Sequence, residues 1–364
     1  MKILLIGEYS NVHATLAKAL RTLGHEVCVV SNGDFWKDYP RDIDVARHPG
    51  KLGGMLLMGR LWSLLPRLKG YDIVQLINPM FFELKAERLY FFYDYLRRHN
   101  GRVFLGAFGM DWYWVHECVY KRPLRYSDFN IGSQLRTDHE AMKYRNDWLG
   151  TPKGKLNRYI ADDCDGIITG LYEYDVCYRP YFPAKTTFIP FPIRIPATKP
   201  IPREAEGGPV RVFIGINRER SAYKGTDIML RAAEGVARRY PDHMRLQVAE
   251  SVPFAEYQQM MDSSDAILDQ LYSYTPSMNA LLAMSKGIVC IGGGEPENYD
   301  IIDEHELRPI INVEPTLESV TSALESLVLH PEALPALQLD SKAYILRHHD
   351  HLAVARRYLD AWQR

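Results

Sequence analysis

The sequence is poor in the features that mark disulfide-bonded, membrane-spanning or nucleic-acid-binding proteins. Its five cysteines are scattered, odd in number and free of any CxxC spacing. This pattern excludes a disulfide framework and a cysteine-based zinc site, and it indicates a reducing, cytoplasmic compartment. No apolar run reaches membrane-spanning length without a charge, and a formal net charge of -1 offers nucleic acid no bulk attraction. The opening residues, MKILLIGEYS, are too short for a signal peptide and predict a first strand instead.

The features that are present are typical of a globular protein with two α/β domains. The chain has 364 residues, of which 46% are hydrophobic and 24% charged, and this length suits two cores better than one. An opening strand, helix and strand imply a parallel sheet with a right-handed crossover, and the same alternation restarts at Val210. We therefore predict two Rossmann-like domains, a Pro-rich linker between them and a final helix that returns to the first domain. We expect the first domain at 1–190, the linker at 191–209, the second domain at 210–345 and the final helix at 346–364.

The turn after the first strand contains a single glycine, Gly7, and lacks the GxGxxG fingerprint. A tightly held dinucleotide, and with it a dehydrogenase, is therefore disfavoured. Loops at the carboxyl ends of parallel strands still bind ligands in this architecture, so Gly7 and His13 are candidate contacts. The alternative is that His13 only begins a helix and has no further role.

A second candidate region follows the strand predicted at 102–105. The residues GAFGMDWYWVHE lie just past its carboxyl end, where open α/β sheets bind ligands. Asp111 and His116 are the candidate functional residues here. The alternative is that Gly106 and Gly109 only make a turn and that the neighbouring tryptophans only fill the core.

Residues 49–70, PGKLGGMLLMGRLWSLLPRLKG, contain no acidic residue and carry four cations among many apolar side chains. The cations are Lys51, Arg60, Arg67 and Lys69. Such a segment can rest on an anionic membrane surface, with its cations snorkelling around the apolar face. The alternative is an ordinary helix packed on the sheet.

Residues 119–157 are polar, aromatic and without a clear period. A long segment of this kind is often a functional insertion. It is a candidate for binding an acceptor or a partner.

The strongest candidate site is the stretch VRVFIGINRERSAYKGTDIMLRA at 210–232. An apolar, β-branched run predicts a buried strand, and the later residues have the spacing of a helix. Arg218, Arg220 and Lys224 lie between these elements, followed at once by Gly225. The dipole and free N–H groups of a helix N-terminus attract anions, and arginine binds phosphate bidentately, so the stretch predicts an anion site. The alternative is a solvated basic loop.

Four motifs, taken in order, resemble the retaining family 4 glycosyltransferases of the GT-B fold, and the likeness covers most of the chain. The stretch GINRERSAYKGTDIMLRA is similar to that family's strand, Arg, Lys-Gly and helix motif. The run DSSDAILDQLYSYTPSMNALLAMSKGIVCIGGGEPE is similar to its later strand, loop, helix, strand and Gly-Gly-x-Pro-Glu motif. The segments FIPFPI and DHLAVARRYLDAW resemble the end of its first domain and its terminal crossover helix.

The resemblance implies two Rossmann-like domains facing a central cleft, with a nucleotide-diphosphate sugar held by the second domain. Arg218 and Lys224 match the catalytic residues that hold the donor diphosphate, and Arg220 is a rival for the arginine. Asp111, which fits the end of a His-Gly-x-Asp pattern, is the third catalytic candidate. The implied donor-binding positions are Arg220, Gly215, Gly225, Tyr274, Ser277, Met278, Asn279 and Glu297. The implied acceptor-side positions are Gly7, His13 and His116.

The sequence departs from the family pattern at three positions. Aligning on Ala283-Met284 puts Tyr274 and Leu282 where the family commonly has two glutamates, which usually hold the donor sugar and the ribose. Phe108 stands where the family often has a first-domain histidine. These departures leave two alternatives open: a non-catalytic nucleotide-sugar-binding or partner subunit of the same fold, and a nucleotide-sugar epimerase. An epimerase needs more acid and base groups than the sequence offers near Tyr274.

The predicted function is retaining transfer of a sugar, of the hexosyltransferase type, from a nucleotide-diphosphate donor to an acceptor hydroxyl. Arg218, Lys224 and backbone N–H groups near 277–279 would stabilise the departing diphosphate, so no metal or other cofactor is expected. The family's commonest product, a cell-surface polysaccharide, and the basic segment 49–70 imply a saccharide or lipid-linked acceptor. We expect a cytoplasmic protein with peripheral contact at the inner face of the plasma membrane.

Overall fold

The computed structural model describes residues 1–196, 208–250 and 252–364. The described residues form two compact units, each defined by its internal contacts. The first unit comprises Met1–Pro123, Lys143–Pro192 and His351–Arg364. The second unit comprises Leu124–Met142 and Ile193–Asp350.

These units divide the chain differently from the predicted domains. Leu124–Met142 falls within the predicted first domain, yet it packs with the second unit. The segment that returns to the first unit begins at His351 rather than at residue 346. Residues 197–207 of the predicted linker lie outside the part of the chain that the structure describes.

Strands and α-helices are numbered along the chain. The strands are β1 (Lys2–Ile6), β2 (Glu26–Ser31), β3 (Ile43–Asp44), β4 (Ile73–Leu76), β5 (Arg102–Ala107), β6 (Asn130–Ile131), β7 (Gln134–Leu135), β8 (Gly166–Thr169), β9 (Thr186–Phe188), β10 (Val210–Ile216), β11 (Met244–Glu250), β12 (Ala266–Leu268), β13 (Val289–Gly292) and β14 (Ile311–Asn312). The α-helices are α1 (Val12–Thr22), α2 (Gly53–Leu64), α3 (Ala86–His99), α4 (Trp112–His116), α5 (His139–Trp148), α6 (Pro152–Asp163), α7 (Tyr172–Tyr178), α8 (Ser221–Lys224), α9 (Thr226–Arg239), α10 (Phe254–Asp262), α11 (Met278–Ser285), α12 (Pro296–Asp300), α13 (Leu317–Leu329), α14 (Leu334–His348) and α15 (His351–Gln363).

The first unit is built on a seven-stranded sheet with the order β3-β2-β1-β4-β5-β8-β9, in which all pairs are parallel. Residues 3–6 of β1 are completely buried, as expected of a parallel sheet that is covered on both faces. The C-terminal helix α15 packs on α1, and the Trp362 indole N–H donates to the Gln75 side chain at 3.2 Å. The last helix therefore returns to the first unit, as the predicted fold requires.

The second unit has a five-stranded parallel sheet with the order β11-β10-β12-β13-β14. Val212 and Ile214 of β10 are fully buried, and the amphipathic helix α9 contributes Met229 and Val236 to the same apolar cluster. Leu324 on α13 completes this cluster. Two parallel sheets, each with its own core, confirm the predicted α/β fold of two Rossmann-like domains.

Leu124–Met142, the part of the second unit that comes from the first half of the chain, is ordered by its own hydrogen bonds. Strands β6 and β7 pair antiparallel within it. The Asn130 side-chain amide donates to the carbonyls of Leu124 at 3.1 Å and Gly132 at 3.0 Å. The stretch predicted as an irregular insertion thus contains a hairpin, and the helices α5 and α6 follow it.

Residues 49–70 form α2 and a short turn after it. Leu57, Leu61 and Leu64 bury one side of the helix, which agrees with the packed-helix alternative. The opposite side exposes several large apolar side chains, namely Leu52, Met55, Leu56 and Trp62. Within the described ranges, no helix combines the length and apolarity needed to cross a bilayer.

Candidate functional site

The second unit gathers several predicted residues at the carboxyl edge of its sheet, where β10, β12 and β13 end. Gly215 is the next-to-last residue of β10, and a Cβ atom there would lie 2.7 Å from the Tyr257 ring. Glycine at this position therefore lets Tyr257 close over the strand end. Asp269 follows β12 directly and places a carboxylate at the same edge.

Arg218 opens a single 3-10 turn, Arg218–Arg220, immediately after β10. The Asn217 side chain accepts the Glu219 N–H at 3.1 Å and so caps the turn. The Arg218 side chain is 81% exposed and pairs with Glu250, the last residue of the neighbouring strand β11. The guanidinium is therefore held at the sheet edge by a pair with a partly exposed carboxylate, which an anion could replace.

Arg220, the rival arginine, has a different environment. Its guanidinium lies 5.3 Å from the centre of the Tyr223 ring, and its Nε lies 4.0 Å from the Glu140 carboxylate. Arg220 is thus packed against protein groups, whereas Arg218 faces solvent. This difference favours Arg218 as the residue available to a ligand.

Lys224 ends α8, and Gly225 then adopts a left-handed conformation with φ of +73° before α9 begins. A Cβ atom at Gly225 would lie 2.5 Å from the Leu271 side chain, so both the turn and the packing require glycine. The Leu271 N–H donates to the Lys224 carbonyl at 3.0 Å. The fixed turn places a lysine beside the N-terminus of a fourteen-residue helix.

Asp269 interacts both with Lys224 and with Ser277, the residue that precedes α11. Burial raises the pKa of its carboxyl, and the hydrogen bonds from Ser277 and the nearby charge of Lys224 oppose that rise. The Ser277 N–H donates to this carboxylate at 2.8 Å, and the Ser277 hydroxyl donates to it as well. We expected the Ser277 N–H to face an anion, but Asp269 takes it. The amides of Met278 and Asn279 remain as the first-turn donors of α11.

A cluster of polar side chains surrounds Tyr274, the residue in place of the family glutamate. The Tyr274 hydroxyl accepts the backbone N–H of Arg125 at 2.7 Å. The Arg125 guanidinium lies 4.8 Å from the centre of the Tyr274 ring. The same guanidinium donates to Glu297 at 2.5 Å and to Glu295 at 2.7 Å. The Tyr126 hydroxyl also donates to Glu295. Burial alone would raise the pKa of Glu297, but the Arg125 hydrogen bond lowers it below its ordinary value.

In the first unit, Gly7 and His13 lie together at the end of β1. Gly7 has φ of +84°, and a Cβ atom there would lie 2.1 Å from Ile77, so no other residue fits. The His13 Nδ1–H donates to the Gly7 carbonyl at 2.8 Å. Burial lowers the pKa of His13 to about 4, which keeps the ring neutral at physiological pH. Its Nε2 has no hydrogen-bond partner within the described residues.

Glu8 occupies the N-terminus of α1. Its carboxylate accepts the N–H groups of His13 at 3.2 Å and Ala14 at 2.8 Å. Burial raises the pKa of Glu8 to about 8. The Glu8 carboxyl therefore occupies the N-terminus of α1, where an anionic group of an acceptor could otherwise bind.

Asp111, predicted as a catalytic residue, is completely buried in the first unit. It caps α4 by accepting the Trp114 N–H at 2.9 Å, and it accepts the Tyr178 hydroxyl at 2.7 Å. Burial raises its pKa to about 7. These contacts favour a structural role for Asp111, because its carboxylate is buried and bound by both groups, and the catalytic role stays a prediction.

His116, predicted on the acceptor side, is partly exposed on α4. Its ring stacks on Trp112 with centroids 4.3 Å apart, and its Nδ1 lies 2.8 Å from the Glu117 carboxylate. Tyr181 donates its hydroxyl to the same carboxylate at 2.7 Å. Gly7 and His13 lie at the end of β1, whereas His116 belongs to this separate aromatic group on α4.

No group of three or more His, Cys, Asp or Glu side chains is arranged to hold a metal in the part of the chain that is described. The Asp-x-Asp pairs at Asp42/Asp44 and Asp163/Asp165 are engaged with arginines. Arg97, for example, donates to Asp163 at 2.9 Å and also to Asp165. Each of these aspartates is therefore already paired with a guanidinium group.

Sequence reasoning missed four residues that shape these sites. Asp269 follows β12 directly and Glu8 lies two residues after the end of β1, so a polar residue just past the carboxyl end of a strand could have identified both. Arg125 and Arg136 carry no such local mark, because Glu297 and Ala222, the groups that they bind at the site, lie 172 and 86 positions away. Only the folded chain brings these two arginines to the site.

The chain is similar in fold to several proteins of known structure. No family model matches the chain, and no curated protein matches it. Sucrose-phosphate synthase from Thermosynechococcus elongatus aligns with a TM-score of 0.64 at 12% identity, covering 100% of this chain and 98% of that one. Anabaena HepE, solved with UDP and glucose, aligns with a TM-score of 0.60 at 11% identity, covering 100% and 99%. The lipopolysaccharide outer core galactosyltransferase WaaB aligns with a TM-score of 0.55 at 14% identity, covering 99% of each chain.

These similar structures are glycosyltransferases and they align over essentially the whole chain. The alignments take in both parallel sheets and the returning C-terminal helix of this chain. The chain therefore has the GT-B fold.

Proposed function

We propose that this protein is a glycosyltransferase that moves a sugar from a nucleotide-diphosphate donor to an acceptor hydroxyl with retention, without a metal. The observation that carries the proposal is the α8–α9 junction, where Lys224 and Gly225 stand at the start of a long helix. A cation beside free helix N–H groups suits a diphosphate. The HepE structure, which holds UDP and glucose on the same fold, is consistent with such a donor.

The chemical task of the site is to stabilise charge on the departing diphosphate. Lys224 and the first-turn amides of α11, from Met278 and Asn279, offer positive groups at the carboxyl edge of the sheet. Arg218 can join them because its exposed pair with Glu250 is weak in water and exchangeable for phosphate. Loss of one such donor is expected to reduce the rate about 100-fold. With these cations to neutralise the diphosphate, the reaction requires no metal.

The hydroxyls of a donor sugar need hydrogen-bond acceptors. Tyr274 and Leu282, which stand where the family commonly has glutamates, provide no carboxylate for this purpose. Glu297 is the partly exposed carboxylate of the cluster around Tyr274, with 25% of its side chain accessible. We assign it to the sugar hydroxyls, with Arg125 fixing its orientation. Carboxylates held in place by a second residue bind hydroxyls with little loss of side-chain entropy.

A second candidate function is a non-catalytic nucleotide-sugar-binding or partner subunit. One observation favours it: the Tyr274 hydroxyl is already engaged by the Arg125 N–H. A residue bound in this way has less capacity left for a donor sugar. This alternative predicts nucleotide binding without turnover.

For the acceptor, we propose a saccharide or lipid-linked saccharide, used in cell-surface polysaccharide or glycolipid synthesis at the inner face of the plasma membrane. The supporting feature is the outer side of α2, where Met55 is 60% and Leu56 is 58% exposed. Trp62 is also exposed and stacks on Phe91 with centroids 4.5 Å apart. Lys51, Arg60, Arg67 and Lys69 of the same segment are exposed as well. A segment that exposes both apolar side chains and cations fits an anionic lipid surface.

The experiment that tests the donor site is a thermal-shift screen of wild type and Lys224→Ala with UDP, GDP, ADP and their sugars. Ligand that binds the native state raises Tm by mass action. We expect one nucleotide to raise the Tm of wild type and to lose most of that effect in Lys224→Ala. An Arg238→Ala variant, altered at an exposed arginine near the end of α9, is the matched control.

Turnover then separates the two functions. Wild type is incubated with the nucleotide sugar that shifts Tm, with water as the acceptor of the sugar, and release of free nucleotide is measured with and without EDTA. Release that EDTA leaves unchanged supports a metal-independent transferase. Binding without release supports the partner subunit, and no Tm shift with any nucleotide contradicts both.

A further inference from the structure

The segment Leu124–Met142 contacts α8, the short helix that ends at Lys224. Arg136 is the centre of this contact, with only 7% of its side chain exposed. Its Nη2 donates to the Ala222 carbonyl at 2.7 Å. Its guanidinium also lies 3.7 Å from the centre of the Tyr272 ring. One buried cation thus contacts both α8 and the loop after β12.

The contact matters because α8 is only four residues long. Carbonyls in the last turn of a helix have no partner within the helix and need other donors. The Ser221 carbonyl accepts the Gly225 N–H, and the Lys224 carbonyl accepts the Leu271 N–H. Arg136 supplies the donor for the Ala222 carbonyl, which lies between them in sequence.

A second contact joins the same two segments. The Tyr223 hydroxyl donates to Asp128 at 2.6 Å. Tyr223 is buried on α8 next to Lys224, and Asp128 lies in the turn before β6. The segment therefore contacts α8 through two consecutive residues, Ala222 and Tyr223.

Arg136 is itself held in place. Its Nε donates to the Asp138 carboxylate at 3.1 Å, and its Nη1 donates to the Ser127 carbonyl at 3.4 Å. Asn130 fixes the same turn through its bonds to Leu124 and Gly132. The guanidinium thus approaches α8 from an ordered base rather than from a free loop.

We propose that Arg136 is a positioning residue for the donor diphosphate, which it affects by fixing α8 and with it Lys224. The proposal rests on the proposed function, since it takes the Lys224–Gly225 junction as the diphosphate site. An arginine from the first half of the chain thereby completes the donor site of the second unit. A fixed loop binds phosphate more tightly than a mobile one because less conformational entropy is lost on binding.

The test compares Arg136→Ala and Arg136→Lys with wild type and with the exposed-site control Arg238→Ala. The first readout is hydrogen–deuterium exchange of peptides that cover residues 218–225, measured without ligand. We expect faster exchange there in Arg136→Ala, partial recovery in Arg136→Lys and no change in Arg238→Ala. Equal exchange in Arg136→Ala and wild type would overturn the proposal, whether or not a nucleotide binds.

The second readout is affinity for the nucleoside diphosphate that shifts the wild-type Tm, compared with the matching nucleoside. Arg136→Ala should bind the diphosphate about tenfold or more weakly. This is the size of effect expected when a hydrogen bond that involves a charged group, here from the Arg136 guanidinium to the Ala222 carbonyl, is lost. Its affinity for the nucleoside should stay near that of wild type. An equal loss for both ligands would contradict positioning and indicate a general structural defect.

Tyr223→Phe keeps the proposal testable if Arg136→Ala does not fold. This variant removes the hydroxyl that binds Asp128 and leaves the packing of the ring unchanged. It should accelerate exchange over the same residues, less strongly than Arg136→Ala. Wild-type exchange in a folded Tyr223→Phe would count against the role of the segment. Failure of wild type to bind any nucleotide would instead contradict the proposed function, and the exchange result would still stand.

Discussion

Arg125 binds Glu297 through a guanidinium–carboxylate pair at 2.5 Å, although the two residues are 172 positions apart in the chain. The same guanidinium binds Glu295, whose side chain is only 8% exposed. The backbone N–H of Arg125 donates to the Tyr274 hydroxyl at 2.7 Å. Tyr274, which stands where the resemblance predicts a glutamate, is therefore bound by a distant arginine that also binds two carboxylates, Glu295 and Glu297.

Removing the arginine should leave a nearly buried carboxylate without its cation. We expect Arg125→Ala to lower the free energy of unfolding by about 1–2 kcal/mol, since the guanidinium itself is 55% exposed and partly screened. Glu295→Gln in the same chain should restore part of the loss, because the unpaired charge is then gone. Urea unfolding of wild type, both single variants and the double variant measures this coupling. Strictly additive effects would show that the pair contributes nothing of its own.

The sequence predicted the parts of this fold that depend on local pattern. The apolar run at 210–214 and the periodic residues after Gly225 correspond to β10 and α9, because burial of each element follows its own repeat. The same reasoning placed Asp111 at a strand end without detecting that Tyr178 and the start of α4 enclose it. Proximity to a strand end is a local property, whereas enclosure depends on residues 67 positions away.

The Leu124–Met142 segment was beyond sequence reasoning for a similar reason. Its hairpin strands are two residues each, too short for a period to appear. Its attachment to the second unit depends on single side chains, Arg125 and Arg136, whose partners lie far along the chain. Charge and spacing along the sequence do not specify such pairs.

Asp111 should prove structural when it is replaced. Asp111→Ala removes the cap of α4 and the acceptor of the Tyr178 hydroxyl, which should cost about 1–2 kcal/mol of stability. Because Asp111 belongs to the first unit, nucleotide binding by the folded variant should match wild type. Calorimetry below the Tm of the variant measures the affinity, and thermal unfolding measures the stability. A stable variant with no turnover would restore the catalytic assignment.

Glu8 should make the protein less stable as pH rises. Burial raises its pKa from an ordinary value of 4.5 to about 8, so the folded state favours the protonated carboxyl. The resulting stabilisation is complete below about pH 4.5 and is lost as pH rises toward about 8. Wild type should therefore lose stability relative to Glu8→Gln over this window, by at most about 1.4 kcal/mol per pH unit.

The measurement is urea unfolding of wild type and Glu8→Gln from pH 4.5 to pH 8. The difference between the two proteins removes contributions from other titrating groups, such as the neighbouring Asp34, as long as they respond equally. A pH-independent difference would show that the Glu8 carboxyl titrates normally and that α1 tolerates its charge.

The outer side of α2 gives the last prediction. Wild type should sediment with vesicles that contain anionic lipid and should stay in solution with neutral vesicles, because both charge and apolar contact are needed for stable binding. Neutral substitution of Arg60, Arg67 and Lys69 should weaken binding to the anionic vesicles. Replacing the 58% exposed Leu56 with serine should weaken it as well, while the buried Leu57 keeps the helix in place. If the charge variant binds the anionic vesicles as wild type does, the cations of residues 49–70 do not hold the protein at the lipid surface, and the proposed electrostatic contact is wrong.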